Sequence, residues 1–145
     1  MIISDVLMPG RRVLKQFENL HPRLLQWDVD YKIASLRSTK FKGFWAIERK
    51  EWIGEIILSW ENCDNIVHVD SIGVIESATG KGIGTSLTLR ALEWAKEKGF
   101  EYYTGYARVG SSWNIVKRLG AKKIYDCKNW SGTGETYVHF KLKIK

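Results

Sequence analysis

The fold of this chain is decided by one glycine-rich stretch, VIESATGKGIG, which occupies residues 74–84. Its three alternate glycines, Gly80, Gly82 and Gly84, lie between an apolar, strand-like run and a long amphipathic helix pattern. Glycine leaves backbone N–H groups unobstructed, and the start of the following helix directs its unpaired N–H groups and positive dipole end to the same place. The stretch therefore predicts a site for an anion such as a phosphate group.

The residues after this stretch predict helices that alternate with strands. The predicted elements are a helix over residues 83–98, a strand over 100–109, a short helix from Ser111 or Ser112 to Gly120, and strands over 123–126 and 136–144. Gly99 supplies the stop of the long helix, and a polar segment, residues 129–134, joins the last two strands.

The residues before the glycine-rich stretch predict two helical segments and three antiparallel strands. A helical period runs from Arg11 to about Leu20, Pro22 starts a second short segment, and we expect a loop at residues 28–41. The strands are expected at residues 44–48, 52–60 and 66–74, with a turn at 62–65. The whole pattern is α/β (α+β): a mixed, mostly antiparallel sheet of about six to seven strands flanked by helices.

Strict alternation along the third strand predicts which of its residues share a face. It groups five of them: Ile66, His68, Asp70, Ile72 and Val74. The opposite face is expected to carry Val67, Val69 and Ser71.

Length and composition favour a soluble protein. The 145 residues fit a single domain spanning 1–145, and no apolar run reaches the length of a membrane span. Cys63 and Cys127 form no metal-ligand pattern, so we predict no metal site and two reduced thiols. The N-terminus does not resemble a signal peptide, and we expect a cytoplasmic location. The net charge of +7 suits an anionic cofactor, an acidic substrate or a nucleic acid without choosing among them.

Two familiar phosphate-binding motifs do not fit the stretch. A Walker A loop fails because Gly82 follows Lys81 where Ser or Thr is needed. A Rossmann fingerprint fails because residue 85 is Thr and because five residues separate Val74 from the first glycine of the series.

The stretch instead resembles the pyrophosphate-binding motif of the GNAT superfamily of N-acetyltransferases. That motif is Arg or Gln, two residues, Gly, one residue, then Gly or Ala, and it falls here on residues 79–84, with Thr79 as the only departure. The resemblance implies a splayed central strand pair and acetyl-CoA (CoA) as cofactor. It implies that the cofactor is bound by Ile72, Gly73, Val74, Thr79, Gly80, Lys81, Gly82, Ile83, Gly84 and Thr85.

The resemblance also implies acetyl transfer to a primary amine, which must lose a proton to a base. Asp70 and His68 are the candidate catalytic residues, and Glu55 is a lesser one; the alternative for His68 and Asp70 is a packing or structural role. The family's usual tyrosine acid and cofactor-contacting asparagine correspond to Val116 and Val109. Tyr103 or Tyr106 could substitute for the tyrosine.

Three functions stay open at this point. The leading one is an N-acetyltransferase whose partners are acetyl-CoA and an amine acceptor. The second is a CoA-binding or interaction module that lacks the acid. The third, which we disfavour, is a nucleic-acid-binding protein that uses the C-terminal lysines. We expect no membrane partner, and a homodimer stays open.

Overall fold

A computed structural model describes residues 1–5, 8–20, 24–38, 40–61 and 65–145. Over these residues the chain forms seven strands and four α-helices around one sheet. In chain order the elements are β1 (Ile2–Ser4), α1 (Arg11–Glu18), α2 (Val29–Leu36), β2 (Phe41–Glu48), β3 (Glu51–Trp60), β4 (Ile66–Val74), α3 (Ile83–Glu97), β5 (Tyr102–Arg108), α4 (Ser112–Arg118), β6 (Lys122–Cys127) and β7 (Tyr137–Lys143).

The sheet has the strand order β1-β2-β3-β4-β5-β7-β6. Every neighbouring pair is antiparallel except β4 and β5, which are parallel and are connected through α3. The mixed, mostly antiparallel sheet predicted from the sequence is thereby confirmed.

The two sides of the sheet carry separate hydrophobic clusters. On the side that we call the α3 face, Leu87, Ala91 and Trp94 of α3 pack against strand residues such as Ile56 and Leu58. On the opposite side, the α1 face, α1 and α2 cover the β2–β3 end through a smaller cluster: Leu14, Phe17, Leu24, Trp27, Val29 and Trp45. Because the two sides are covered by different helices, a change of face along one strand moves a side chain from one cluster to the other.

The predicted loop at residues 28–41 is wrong, because it contains α2. The side chain of Asp28 caps this helix by accepting a hydrogen bond from the backbone N–H of Tyr31 at 2.9 Å. Lys32 of α2 is buried, which hides the usual apolar period of a packed helix. The strand β1 was not expected either; it is three residues long and pairs with β2 at the edge of the sheet.

The remaining predicted elements agree with the structure to within a few residues. A short 3-10 helix, Leu25–Trp27, lies in the region expected to be helical after α1. Three expectations lie outside the described residues, in whole or in part: the helix start at Pro22, the thiol of Cys63 and most of the turn at 62–65. Among the described residues, none of the helices is both long enough and apolar enough to cross a membrane.

Candidate functional site

A cleft of about 370 Å³ opens where β4 and β5 separate. The two strands pair in register from Ile66 with Tyr102 to Val69 with Gly105, and no pairing continues beyond that point. β4 remains paired with β3 as far as Val74, and β5 remains paired with β7 as far as Arg108. The backbone edges that face each other across the gap therefore lack a strand partner, and they form the walls of the cleft.

A β-bulge in β4 lies at the point where the strands separate. Ile57 of β3 pairs with Ser71, while the next residue, Leu58, pairs with Val69, so Asp70 is an extra residue in β4. A bulge of this kind bends the strand and increases its local twist. The bend directs the second half of β4 away from β5.

Because of the bulge, the residues of β4 after Asp70 lie on the opposite face from the one predicted. Ile72 and Val74 pack on the α3 face together with Val67 and Val69, and not on the face of His68. Gly73 faces the other way, since a Cβ at this position would lie 2.5 Å from Cη2 of Trp27. The alternation inferred from the sequence is therefore wrong beyond Asp70, because one inserted residue reverses the side of all those that follow.

The glycine-rich stretch leads directly into the start of α3. Gly80 and Gly82 have positive φ angles of 79° and 76°, and a Cβ at either position would meet none of the described residues within 4 Å. Gly82 is the N-cap residue of α3, and no side chain among the described residues caps the helix. Within that part of the chain, the first N–H groups of α3 therefore have no intrahelical or capping partner.

Gly84 has a different role from the other two glycines. Its φ is not positive, but a Cβ there would lie 3.1 Å from Cδ1 of Ile115 on α4. Glycine at this position lets α4 approach the first turn of α3 closely.

Nine of the ten predicted cofactor-binding residues line the cleft: Ile72, Gly73, Val74, Thr79, Gly80, Gly82, Ile83, Gly84 and Thr85. Lys81 is exposed and is not part of the lining. The hydroxyl of Thr79 donates to the backbone carbonyl of Glu76 at 2.9 Å, so it closes the preceding turn. Ser71, next to the bulge, contributes a buried Oγ that lines the cleft and forms no hydrogen bond with the described residues.

Asp70 lines the cleft, and His68 does not. A carboxylate oxygen of Asp70 accepts a hydrogen bond from Oγ of Ser59 at 2.6 Å. Burial raises the pKa of Asp70, while the Ser59 hydrogen bond and the nearby His68 partly oppose that rise. His68 is hydrogen-bonded through Nδ1 to Oγ1 of Thr104 on β5. The two residues are therefore close together, with only Asp70 exposed to the cleft.

Glu55 lies in a buried ion pair, away from the cleft lining. Its carboxylate accepts from Nζ of Lys32 at 2.5 Å and from Nε1 of Trp45 at 3.0 Å. Burial raises the pKa of Glu55 and lowers the pKa of Lys32, and the attraction between the two charges opposes both shifts. Nζ of Lys32 also lies 4.5 Å from the ring centre of Trp27, which does line the cleft. We therefore assign Glu55 a structural role.

Residues 11–118 match the sequence model of the acetyltransferase (GNAT) family, which is more than half of the chain. The chain belongs to the GNAT family. No curated protein sequence was found to match it.

Solved GNAT structures show the same fold. The ribosomal-protein-S18-alanine N-acetyltransferase from Escherichia coli matches with a TM-score of 0.81 and 15% identity, over 99% of this chain and 94% of that chain. An aminoglycoside 6'-N-acetyltransferase crystallised with coenzyme A matches with a TM-score of 0.81 and 15% identity, over 100% of this chain and 98% of that chain. The aminoglycoside 6'-N-acetyltransferase from Enterococcus faecium matches with a TM-score of 0.76 and 15% identity, again over 100% of this chain and 98% of that chain. At such identities the likeness shows the fold alone.

Apart from Thr79, the positions at which the resemblance implies a departure from the GNAT pattern lie on and beside α4. Val116, which we expect to correspond to the family's tyrosine, is buried in the core on the α3 face. Val109, at the position corresponding to the asparagine, is half exposed just after β5. Ser111 and Ser112 line the cleft at the start of α4, and their hydroxyls accept hydrogen bonds from the side chain and the backbone N–H of Arg108, respectively, each at 3.0 Å.

Of the two tyrosines considered as substitutes, only Tyr106 reaches the cleft of this GNAT domain. Tyr103 is buried against Phe140, and burial raises its pKa. Tyr106 lines the cleft, and its hydroxyl lies 3.2 Å from that of Tyr125. This hydrogen bond and partial burial raise the pKa of Tyr106 to about 12.

Sequence reasoning missed two groups of cleft residues. One group, Leu24, Gln26 and Trp27, comes from the 3-10 helix and the residue before it. The other is on the far wall: Arg108, Ser111, Ser112, Ile115, Arg118 and Tyr137. Neither group belongs to the GNAT motif. Only Arg108 and Arg118 could have been suspected from the sequence, because positively charged side chains suit a predicted anion site.

Proposed function

We propose that this chain is an N-acetyltransferase that moves the acetyl group of acetyl-CoA to a primary amine. The observation that carries the proposal is the gap that begins after Val69 and Gly105 and leads to the uncapped start of α3. A strand edge and a helix start in one cleft match the two halves of CoA, an amide-bearing arm and a pyrophosphate.

The residues of the cleft fit this cofactor. The N–H groups of Ile83, Gly84 and Thr85 would bind the pyrophosphate, and the open space beside Gly80 and Gly82 leaves room for it. Arg118 adds a positive charge to the same lining. The unpaired edge of β4 from residue 72 to residue 74 would pair with the amide groups of the arm. When bound, acetyl-CoA supplies the activated acetyl group.

Asp70 is the proposed base. An amine attacks only as the neutral form, so a proton must leave it at the strand face beside the cleft. The carboxylate of Asp70 lines the cleft, and Ser59 holds it in place through one oxygen. Its raised pKa makes it a better proton acceptor than an ordinary carboxylate. His68 is the second candidate base; it is near enough to lower the pKa of Asp70, but it does not line the cleft.

Tyr106 is proposed to stabilise the leaving thiolate by donating a hydrogen bond. Its pKa of about 12 keeps the hydroxyl protonated at neutral pH. A thiol has a pKa of about 8.5, so full transfer of the proton from this phenol would be uphill. Donating a hydrogen bond to the sulfur requires no such transfer. It requires the Tyr106 hydroxyl to turn its one proton from Tyr125 to the sulfur, and Tyr125 can then donate to the Tyr106 oxygen.

A CoA-binding module without transfer activity is the second candidate. The buried Val116 favours it, because the side chain that assists the leaving group in related enzymes is missing. Release of free CoA separates the two functions. Acetyl-CoA is incubated with the protein and a panel of primary amines, and free thiol is followed over time. Amine-dependent thiol release that is lost in Asp70→Asn supports the transferase. Tight CoA binding without release for every amine would favour the binding module.

A further inference from the structure

Over β5, β7 and β6, the α1 face is covered in part by the short 3-10 turn Trp130–Gly132, and it carries exposed aromatic rings beside that turn. Five rings form a continuous aromatic surface there: Tyr106, Tyr125, Trp130, Tyr137 and His139. Tyr106 stacks on Trp130 at 4.7 Å and on His139 at 4.5 Å between ring centres. Tyr106 and Tyr125 are 41% and 48% exposed, so these large rings remain accessible to a ligand.

The same side of these strands is positively charged. Lys122 and Lys141 are register partners, Lys141 lies opposite Thr104, and Lys143 lies opposite Tyr102. The three lysines are exposed, and Nζ of Lys141 lies 4.1 Å from the ring centre of Tyr102. Over residues 102–108, 122–127 and 137–143, all of which the structure describes, no acidic side chain shares this side. Glu135, just before β7, is acidic and is paired with Arg108 at 3.1 Å.

The aromatic surface is continuous with the cleft. Tyr106 and Tyr137 belong both to the aromatic surface and to the lining of the cleft. His139 is the register partner of Tyr106, and Lys141 and Lys143 follow it along β7, away from the cleft. At about 3.3 Å per residue, Lys141 lies roughly 7 Å and Lys143 roughly 13 Å beyond His139.

We propose that this surface binds the acceptor, and that the acceptor is an acidic peptide whose amino terminus enters the cleft beside Tyr106. The inference rests on the proposed function and names its substrate class. The carboxylates of the peptide, within about its first five residues, lie over Lys141 and Lys143, and the rings of Tyr106 and Tyr125 pack against its backbone and side chains.

A peptide fits the chemistry better than a nucleic acid of the same charge. The reaction needs an amine with an available lone pair, and the amino terminus of a peptide provides one. The exocyclic amines of nucleic-acid bases are conjugated with the ring and are poor nucleophiles. A polycationic acceptor would be repelled by the three lysines.

Three peptides of equal length with a free N-terminal Ala test the inference. They carry Asp and Glu, Asn and Gln, or Arg at positions two to five, so that the α-amine is the only acceptor in each. We expect KM to be roughly tenfold lower for the acidic peptide than for the neutral one at low salt, with the difference shrinking at high salt. Equal KM values for the acidic and neutral peptides would overturn the inference.

A pair of double variants locates the effect. Lys141→Gln with Lys143→Gln should remove the preference for the acidic peptide while leaving CoA affinity unchanged. Lys96→Gln with Lys98→Gln, at the C-terminal end of α3, removes the same charge elsewhere and should keep the preference. If both double variants lose the preference for the acidic peptide, the preference depends only on the overall charge of the protein, and a binding site at Lys141 and Lys143 is overturned.

Direct binding separates this inference from the proposed function. Anisotropy of a fluorescent acidic peptide, labelled at its C-terminus and measured with CoA present, reports binding without turnover. Binding that depends on the lysines but gives no thiol release would support the peptide-binding surface and contradict the transferase activity. Thiol release with no preference among the peptides would support the transferase activity and overturn the peptide-binding surface. Tighter binding of a single-stranded oligonucleotide of equal charge would also overturn the peptide assignment.

Discussion

Gly105 lies directly against Val69, so that a Cβ on Gly105 would approach Cγ1 of Val69 to 2.4 Å. These residues are also the last register partners of the parallel pair formed by β4 and β5. The close approach therefore lies at the point after which the two strands separate. It involves a glycine in β5 that lies outside the glycine-rich stretch.

Gly105→Ala should destabilise the protein and alter the cleft. The added methyl group meets a short, branched side chain, so the strands must shift, at a cost of roughly 1–3 kcal/mol. Urea denaturation measures the loss, and CoA titration measures the change in affinity. Gly10→Ala is the control, since a Cβ there meets none of the described residues within 4 Å; because Gly10 is the N-cap of α1, where Ala is less favourable than Gly, its stability should fall by at most about 1 kcal/mol. Equal stability of the two variants would contradict the close approach at Gly105.

Asp70→Asn should abolish most turnover while keeping or increasing stability at neutral pH. Burial raises the folded-state pKa of Asp70, so the carboxyl contributes stability at low pH that is lost as the pH rises through that pKa. The side-chain amide in the Asp70→Asn variant stays neutral at every pH, so the variant does not bury a negative charge at high pH. The melting temperatures of both proteins, measured from pH 4 to pH 8, should therefore diverge in favour of Asp70→Asn as the pH rises. Divergence in the opposite direction would mean that ionised Asp70 stabilises the fold.

Ser59→Ala should shift the pH dependence of turnover. The hydroxyl of Ser59 donates to the ionised form of Asp70, and this hydrogen bond lowers the pKa of the carboxyl. Its loss should move the acid limb of the kcat/KM profile to higher pH. An unmoved acid limb, with kcat/KM otherwise normal, would exclude Asp70 as the titrating base.

Glu55→Gln should destabilise the protein strongly, because it leaves the buried ammonium group of Lys32 without its counter-charge. The expected loss is roughly 3–5 kcal/mol in the free energy of unfolding. Lys32→Met combined with Glu55→Gln removes both charges, keeps an acceptor for Nε1 of Trp45, and should recover much of the loss. Chemical denaturation of the three proteins measures the coupling. Additive losses would show that the two charges do not depend on each other.

Elements that depend on neighbours close in the chain could be predicted from the sequence. The hairpin of β2 and β3, the extent of β4 and the long helix α3 follow from local periodicity and from glycines such as Gly99. The loop before α3, where we propose an anion site, also follows from local pattern, since Gly80 and Gly82 both have the positive φ that favours glycine.

Features that depend on distant partners could not be predicted in this way. α2 was missed because Lys32 is buried only through its pairing with Glu55, 23 residues away. The faces of Ile72 and Val74 depend on a single inserted residue in β4, which becomes visible only against the register of β3. The open aromatic surface depends on which parts of the sheet α1 and α2 leave uncovered, and no local pattern encodes that.

Calorimetric titration of CoA into Gly82→Asp tests most directly whether the start of α3 binds the pyrophosphate of CoA. The variant places an anion at the N-cap, where Gly82 has a positive φ of 76° and open space around it. Gly99→Asp is the matched control, with a φ of 86° and equally open surroundings at the other end of the helix. In a denaturation experiment, CoA at one hundred times its Kd should raise the free energy of unfolding of the unmodified protein by about 2.7 kcal/mol. Gly99→Asp should bind CoA like the unmodified protein, and Gly82→Asp should fold but show no binding. Undiminished binding by Gly82→Asp would contradict the placement of the cofactor at α3.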